Sequence, residues 1–217
     1  MARGGGLHGR HGVTELWEEE QRVRAMRVIT GTAKGKPLKT VKGRDIRPTS
    51  DRVKESLFNV MAGRVPEADF LDLFAGSGAV GIEALSRGAR SCVFVELMTP
   101  HLKVVEENLN ATGLRERAEL IRRDARAAVA DLARRGRRFD LIFVDPPYGQ
   151  ELVPASLALI DSHGLLAEDG WVICEHHKKD PVPESAGGLT KFRELVFGET
   201  VLSIYRGIAP DGGRQQD

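Results

Sequence analysis

Cysteine is scarce in this chain of 217 residues, and long apolar runs are absent. The two cysteines, Cys92 and Cys174, both fall within predicted buried strands, where cysteine packs as a small apolar residue. No run approaches the ~20 apolar residues of a membrane-spanning helix, and no segment has the charged, apolar and small-residue order of a signal peptide. With 41% hydrophobic and 29% charged residues, the composition is that of a soluble globular protein. We therefore expect reduced thiols and a cytoplasmic protein.

Residue clusters typical of metal centres or covalent catalysis are also missing. His176 and His177 are adjacent, but they lack cysteine or acid partners at ligand spacing, so we expect no metal site. No serine or cysteine lies in a recognisable nucleophile motif, and His101 and His163 are predicted to be surface residues.

Positive charge is concentrated near the N-terminus. Residues 22–54 contain eleven Lys or Arg against Asp45 and Asp51, a local charge of +9 in a chain whose net charge is +1. A solvated face is the ordinary fate of such a run, but this excess exceeds the needs of solubility and predicts contact with a polyanion. The candidate phosphate-contacting residues are Arg27, Lys34, Lys36, Arg44, Arg47, Arg52 and Lys54.

The run Asp145-Pro146-Pro147-Tyr148 ends an apolar stretch at residues 139–144. That stretch predicts a buried strand, which the two prolines end because neither can donate a ladder hydrogen bond. The carboxylate, carbonyls and aromatic ring then lie at the C-terminal edge of a sheet, where open α/β sheets bind ligands. Such a cluster suits a flat ring that carries an amine, although a strand-terminating turn with an incidental tyrosine would contain the same residues.

A glycine-rich turn follows another apolar run at residues 70–74. Gly76 and Gly78 let the backbone approach a ligand closely, and Gly81 completes a Gly-x-Gly-x-x-Gly spacing before a predicted helix. Glu96 ends the next apolar strand, where a carboxylate can accept hydrogen bonds from ribose hydroxyls. These features predict a nucleoside ligand and fit a dinucleotide equally well.

Four positions in order along the chain separate these alternatives. Asp72 precedes the glycine turn, Glu96 ends the second strand, Asp124-Ala125 follows the third, and the Asp-Pro-Pro-Tyr run ends the fourth. This series resembles the class I S-adenosylmethionine (AdoMet)-dependent methyltransferases that modify exocyclic amines of nucleobases. Three further segments and the run Asp-Leu-Phe-Ala-Gly-Ser-Gly resemble the bacterial small-subunit (16S) rRNA guanine-N2 methyltransferase family. The three segments are residues 26–31, 34–36 and 47–59, and the resemblance covers roughly residues 27–207.

The resemblance implies methyl transfer from AdoMet to the N2 amine of one guanine in 16S rRNA. The choice of guanine over adenine comes from the resemblance alone. Asp145 and the Pro146 carbonyl would accept hydrogen bonds from the amine and localise its lone pair. Tyr148 would stack on a base that is looped or flipped out. The candidate catalytic residues are Asp145, Pro146, Pro147 and Tyr148.

Cofactor roles follow from position in the same series. Glu96 would bind the ribose, Leu97 would pack on the adenine, and Asp124 would accept from the adenine amine. Asp72 would anchor the loop or the methionine ammonium. Thr49 and Arg52 would contact the methionine end, unless Arg52 pairs with Asp51 or Glu55 instead. The candidate cofactor-binding residues are Thr49, Arg52, Asp72, Phe74, Ala75, Gly76, Ser77, Gly78, Glu96, Leu97, Asp124, Ala125 and Asp145.

The order of elements predicts an α/β, Rossmann-like, seven-stranded class I methyltransferase sheet. It is mostly parallel, with a C-terminal antiparallel hairpin and a small N-terminal β-hairpin and helix. Predicted strands lie near residues 70–74, 91–96, 118–122, 139–145, 170–175, 191–197 and 200–206. Predicted helices lie near residues 79–88, 100–112, 125–135 and 152–163.

Four segments are expected along the chain. Residues 1–25 form a disordered extension, residues 26–63 a basic unit that contacts RNA and cofactor, residues 64–209 the methyltransferase domain, and residues 210–217 a flexible tail. We expect a monomer that acts on 16S rRNA within a small-subunit particle or an assembly intermediate.

Three other functions fit parts of the sequence. An N6-adenine methyltransferase acting on DNA or RNA would use the Asp-Pro-Pro-Tyr run for the same amine chemistry. A non-catalytic RNA-binding protein could occupy a methyltransferase scaffold, although the glycine turn and Asp145 are intact. An NAD-dependent oxidoreductase fits the glycine turn but leaves the proline run unexplained.

Overall fold

Strands and helices alternate through most of the chain. The computed structural model describes residues 26–41, 51–147 and 151–208. The strands are β1 Asp69–Asp72, β2 Ser91–Glu96, β3 Ala118–Arg122, β4 Phe139–Val144, β5 Leu166–His177, β6 Ser185–Ala186, β7 Leu189–Phe197 and β8 Thr200–Gly207. The helices are α1 Asp51–Val60, α2 Ala79–Ser86, α3 Thr99–Thr112, α4 Ala125–Arg134 and α5 Leu152–Ser162, with a 3₁₀ turn at Arg115–Arg117. None of the described helices is long and apolar enough to span a membrane.

All eight strands form one sheet in the order β3-β2-β1-β4-β5-β8-β7-β6. Strands β1 to β5 pair in parallel, and β8 then runs antiparallel to β5 and β7. The reversal of strand order between β1 and β4 brings the ends of β1, β2 and β4 to one crevice, the usual ligand site of such sheets. The predicted fold class is therefore confirmed.

The strand count differs from the prediction by one. The additional strand, β6, has two residues and pairs with β7 through Ser185 and Thr190. Strand β5 is also longer than predicted and begins at Leu166, with an irregular register against β4 between Phe139 and Leu141. Neither a two-residue strand nor a register shift produces a hydrophobic period that a sequence pattern reveals.

The sheet has a hydrophobic core on each face. Helices α1, α2 and α3 pack with Phe70 and Phe94 on one face. Helices α4 and α5 pack with Leu71 and Val93 on the other. Consecutive residues of a strand point to opposite faces, so strands buried on both sides contain the near-continuous apolar runs seen in the sequence. Both cysteines are buried and unpaired, as the sequence predicted.

Residues 26–41, here called the N-terminal arm, pack on α2 and α3. Within residues 26–41, the described part of the predicted hairpin, the strands are reduced to a single bridge between Arg27 and Pro37. The Glu83 carboxylate of α2 accepts hydrogen bonds from the backbone N–H groups of Ile29 (2.7 Å) and Thr30 (2.9 Å). These two charge-assisted bonds attach the arm to the domain.

Asn108 of α3 joins the arm to the glycine turn. Its amide Nδ2 donates to the carbonyls of Lys39 (3.0 Å) and Ser77 (2.9 Å), and its Oδ1 accepts from the Lys39 N–H (2.8 Å). One buried side chain thus contacts both segments.

The burial of Lys54, on α1, contradicts a prediction made from the sequence. Its side chain is fully buried, with Nζ 2.6 Å from the Arg27 carbonyl and 3.8 Å from the Glu83 carboxylate. A phosphate cannot reach this ammonium, so the prediction that Lys54 contacts RNA is wrong. The predicted apolar face of the helix is confirmed for Val53, Leu57 and Met61.

Candidate active site

A cavity of about 680 Å³ opens at the carboxyl ends of β1 to β4. Its size is that of a typical small-ligand site, ~300–1,000 Å³. Nine residues predicted for catalysis or cofactor binding line this first cavity, namely Phe74, Gly76, Glu96, Leu97, Asp124, Ala125, Asp145, Pro146 and Pro147. Parallel strands present their carboxyl ends at one edge, which is why residues distant in sequence meet here.

The glycine turn brings backbone close to this cavity. Gly76 and Gly78 have φ of 54° and 78°, in the left-handed region that other residues rarely adopt. The Gly78 N–H donates to the Ala75 carbonyl at 2.7 Å and closes the turn. A Cβ at Gly81 would lie 2.3 Å from Phe94 Cε1, so this glycine is required for the close packing of α2 on β2.

Glu96 is held in place by backbone. Its Oε2 accepts from the Gly76 N–H at 3.0 Å, and its Oε1 accepts from the Met98 N–H at 2.8 Å. His101 Nδ1 lies 3.6 Å from the same carboxylate. A carboxylate fixed by two donors retains further acceptor sites, and these are suited to vicinal hydroxyls such as those of a ribose.

Asp72 lies beneath the cavity and outside its lining. Its side chain is 2% exposed, and Oδ2 accepts from the Gly81 N–H at 3.1 Å. Burial raises the pKa of Asp72 to about 7; the Glu96 charge adds to this, and the hydrogen bond from Gly81 opposes it. The contact joins the end of β1 to the first turn of α2, and the two predicted roles of Asp72 stay predictions.

The rim after β2 and β3 is apolar on one side and polar on the other. Leu97 and Met98 are 59% and 51% exposed, unusual values for large apolar side chains, and both line the first cavity. Asp124 caps α4 by accepting from the Arg126 N–H at 2.9 Å. A flat ring with an amine edge would cover the apolar side and meet Asp124 on the other.

Asp145 directly follows β4 and lines the first cavity. Burial raises the pKa of its carboxyl well above the usual range, and the negative charges of Glu175 and Asp72 raise it further. Pro146 is buried and Pro147 is exposed. The fourth predicted catalytic residue, Tyr148, lies outside the described residues.

The remaining predicted cofactor residues do not line the first cavity. Ala75, Ser77 and Gly78 form the turn behind Gly76, and Arg52 is exposed on α1. Thr49 lies outside the described residues.

Sequence reasoning missed several lining residues, namely His101, Arg123, Arg126, Leu152, Ala155 and Ser156. Leu152, Ala155 and Ser156 share one face of the first turns of α5, at spacings of three and four residues. That spacing, directly after the proline run, was the signal that could have identified them.

The basic residues of the arm have different surroundings. Arg27 is exposed and lies 3.6 Å from Asp51, while Lys34 is exposed. Lys36 Nζ donates to the carbonyls of Ala111 and Thr112 at the end of α3, at 3.2 and 3.1 Å. Two further candidates, Arg44 and Arg47, lie outside the described residues.

Comparison with known proteins finds relatives that match over most of this chain. YlbH of Bacillus subtilis is 43% identical over 181 residues, which are 83% of this chain and 98% of YlbH. Ribosomal RNA small subunit methyltransferase D of Escherichia coli is 33% identical over 181 residues, 83% of this chain and 89% of that relative. The solved structure of YhhF from Escherichia coli matches with a TM-score of 0.75 at 33% identity, covering 85% of this chain and 98% of that one.

A family-level match covers most of the chain. The sequence profile of the family described as conserved hypothetical protein 95 matches residues 26–206. The resemblance stated from the sequence is confirmed at this level. The chain therefore belongs to this family, whose bacterial relatives include ribosomal RNA small subunit methyltransferases.

Proposed function

We propose that this protein transfers a methyl group from AdoMet to the N2 amine of a guanine in bacterial 16S rRNA. The observation that carries the proposal is the first cavity, which joins the backbone-held Glu96 to Asp145 and Pro146 within one space. A nucleoside cofactor and an amine-bearing base both fit this arrangement. Family membership supports rRNA as the substrate class, and guanine N2 is the finer part of the proposal.

Each end of the first cavity has a proposed role in holding the cofactor. The Glu96 carboxylate accepts from the ribose hydroxyls, while Leu97 and Met98 pack on the adenine ring and Asp124 accepts from its amine. Gly76 gives the cofactor close approach to backbone, and Arg52 and Thr49 contact its methionine end. When bound, AdoMet supplies a methyl group that is already electrophilic because it is attached to a sulfonium.

The chain's task in catalysis is to position and activate the amine. Asp145 and the Pro146 carbonyl accept hydrogen bonds from its N–H groups, which localises the nitrogen lone pair. Holding the nitrogen ~3–3.5 Å from the methyl carbon supplies much of the rate enhancement through orientation. As the nitrogen–carbon bond forms and the carbon–sulfur bond breaks, the nitrogen becomes positive and releases a proton. The Asp145 carboxylate is suited to accept that proton because its pKa is raised by burial.

Recognition of the polyanion is assigned to residues 26–63. Exposed Arg27, Lys34 and Arg52 contact phosphates, together with Arg44 and Arg47, while residues 64–209 form the methyltransferase domain. We propose a cytoplasmic monomer that acts on a small-subunit particle or an assembly intermediate.

The test is methyl transfer from labelled AdoMet to small ribosomal subunits that lack native modification. Naked 16S rRNA and duplex DNA run in parallel, and the label is located by nucleoside analysis. Label in N2-methylguanosine is the expected result. Label in N6-methyladenine would show that the modified base is adenine rather than guanine, with the same amine chemistry. No label on any substrate would contradict the proposal.

An Asp145→Ala variant separates chemistry from cofactor binding. We expect transfer to be abolished while the Kd for AdoMet, measured by calorimetry, stays within a few-fold of wild type. Glu168→Gln, at the opposite end of the neighbouring strand β5, is the control and should retain full activity. Retained transfer by the Asp145→Ala variant would refute the catalytic role.

A further inference from the structure

Ser156, on the second turn of α5, has a buried hydroxyl that faces the first cavity. The residue is 6% exposed and belongs to the cavity lining. In the described part of the chain, every side-chain nitrogen or oxygen that is closed off from solvent has a hydrogen-bond partner. Within the same part of the chain Ser156 Oγ has no partner, so the oxygen must open on the space of the cavity.

Other buried hydroxyls on the described helices are used by the fold. Ser86 Oγ donates to the Thr30 carbonyl at 2.6 Å and accepts from the Ala33 N–H at 2.9 Å. Thr112 Oγ1 donates to the Asn108 carbonyl at 2.7 Å. At position 156 an alanine would favour the helix more and would bury no hydroxyl without a partner. Folding therefore gives no reason for this serine, and its hydroxyl points to a ligand group.

Ser156 lies in the part of the first cavity that α4 closes. Helices α4 and α5 share one hydrophobic core, and Asp124 and Ala125, where α4 begins, line the first cavity as Ser156 does. A second cavity, of about 190 Å³, adjoins the first beside the proline run. Leu152 lines both cavities, whereas Ser156, one turn later in α5, lines only the first. The path from Leu152 to Ser156 therefore leads away from the proposed methyl-acceptor residues and towards the proposed adenine contacts.

The polar edge of adenine needs both an acceptor and a donor from the protein. Its amine donates, and each of the two ring nitrogens that flank the amine, N1 and N7, accepts. Asp124 Oδ1 accepts from the Arg126 N–H, which leaves Oδ2 as the acceptor for the amine. A carboxylate cannot pair with the neighbouring ring nitrogen. The side chains of Arg123 and Arg126 also line the cavity, but both residues are exposed and hydrated, whereas the Ser156 hydroxyl is shielded from solvent.

We propose that the Ser156 hydroxyl donates a hydrogen bond to a ring nitrogen beside the amine of the AdoMet adenine, while Asp124 accepts from that amine. Ser156 is then a specificity residue for the cofactor, because an acceptor beside a donor matches adenine. A purine with a carbonyl oxygen in place of the amine would set that oxygen against the Asp124 carboxylate. The inference rests on the proposed function for the identity of the cofactor.

The first test is a Ser156→Ala variant, with the Kd for AdoMet measured by calorimetry. Loss of one neutral hydrogen bond should raise this Kd ~2- to 12-fold. The urea midpoint should be unchanged or higher, because the variant removes a hydroxyl that the fold does not use. Ser162→Ala, which removes an exposed hydroxyl at the end of the same helix, is the matched control and should leave the Kd unchanged. Ser86→Ala should lower the urea midpoint, because it leaves the Ala33 N–H without its acceptor.

Analogues of S-adenosylhomocysteine identify the nitrogen that is paired. The 1-deaza and 7-deaza analogues each replace one of the two ring nitrogens by a C–H group. Wild type should bind one of them ~2- to 12-fold more weakly than S-adenosylhomocysteine. The Ser156→Ala substitution should have no effect on the Kd for that analogue, because the hydrogen bond is already lost. If the substitution weakens all three ligands by the same factor, no ring nitrogen is paired with Ser156 and the inference is wrong.

The outcomes distinguish this inference from the proposed function. An unchanged Kd for AdoMet in Ser156→Ala, or a fall in urea midpoint as large as that of Ser86→Ala, overturns the role of Ser156. Methyl transfer to guanine N2 by wild type would still establish the function. If the Kd values change as expected but no label enters N2-methylguanosine, the proposed substrate is wrong and the adenine contact stands. If wild type binds neither AdoMet nor S-adenosylhomocysteine, both proposals fall.

Discussion

Replacing Glu83 with alanine should destabilise the protein more than any surface charge change. The carboxylate accepts from two backbone N–H groups of the arm and from Arg87 Nε at 2.7 Å, and it lies 3.8 Å from Lys54 Nζ. Glu83 and Lys54 are fully buried, so removing the carboxylate leaves an ammonium in a low-dielectric site. Breaking such a buried pair costs ~3–5 kcal/mol, a large share of a typical ~5–15 kcal/mol of unfolding free energy.

Urea denaturation followed by circular dichroism measures this loss. The matched control is Glu107→Ala, which breaks a 2.8 Å pair with Lys39 whose side chains are both more than half exposed. Exposed pairs contribute ~0–1 kcal/mol, so this control should unfold close to wild type. Equal losses of unfolding free energy in the two variants would refute the reasoning. In a Glu83→Gln background, Lys54→Met should recover part of the loss, because it removes the uncompensated ammonium.

Three further predictions concern the protonation of Asp72, the packing of Gly81 against Phe94, and the charge of Lys34 in the N-terminal arm. The pKa of Asp72 is raised in the folded protein, so the stability given by its protonated form is present below about pH 4 and lost as pH rises to about 7. The unfolding free energy of wild type should therefore fall relative to Asp72→Asn over that range; a constant difference would contradict the pKa. Gly81→Ala should lower the unfolding free energy by ~1–3 kcal/mol through its clash with Phe94, and an unchanged urea midpoint would contradict the packing. Lys34→Ala should reduce the slope of log K for rRNA against log salt by about 0.7. Lys54→Met should leave that slope unchanged, because its ammonium is buried.

Strands buried on both faces were the most predictable part of the fold. The bounds of β2 agree with the prediction at both ends, because its apolar run stops where burial stops. The bounds of β3 also agree, although β3 is an edge strand whose side chains are only partly buried. The edge of the sheet was less predictable. Strand β6 has two residues, and its pairing with β7 depends on a tertiary contact rather than on a local pattern.

Lys54 shows why a charge pattern does not determine exposure. It lies on the same helical stripe as Leu57, Phe58 and Met61, all of which are buried, so helical geometry directs it inwards. A lysine at such a position usually reaches solvent, and here Glu83 makes burial tolerable. Glu83 belongs to a different helix, so the pair appears only once α1 packs against α2.

The candidate site also has residues that the sequence pattern could place and contacts that it could not. Residues at the carboxyl ends of strands, such as Glu96 and Asp145, could be placed at the sheet edge from the chain order of the elements. Glu175 also ends a predicted strand, and in the structure it lies beside Asp145. That adjacency is set by the register of β4 and β5, which the sequence pattern does not specify.

Asn108 has a consequence for how the two proposed ligands influence each other. Its amide bonds the arm at Lys39 and the glycine turn at Ser77 simultaneously, so ordering one segment restrains the other. Thermodynamic linkage then requires reciprocity: any factor by which bound rRNA tightens AdoMet binding equals the factor by which AdoMet tightens rRNA binding. Substituting Asn108 would uncouple the two affinities without removing a contact to either ligand.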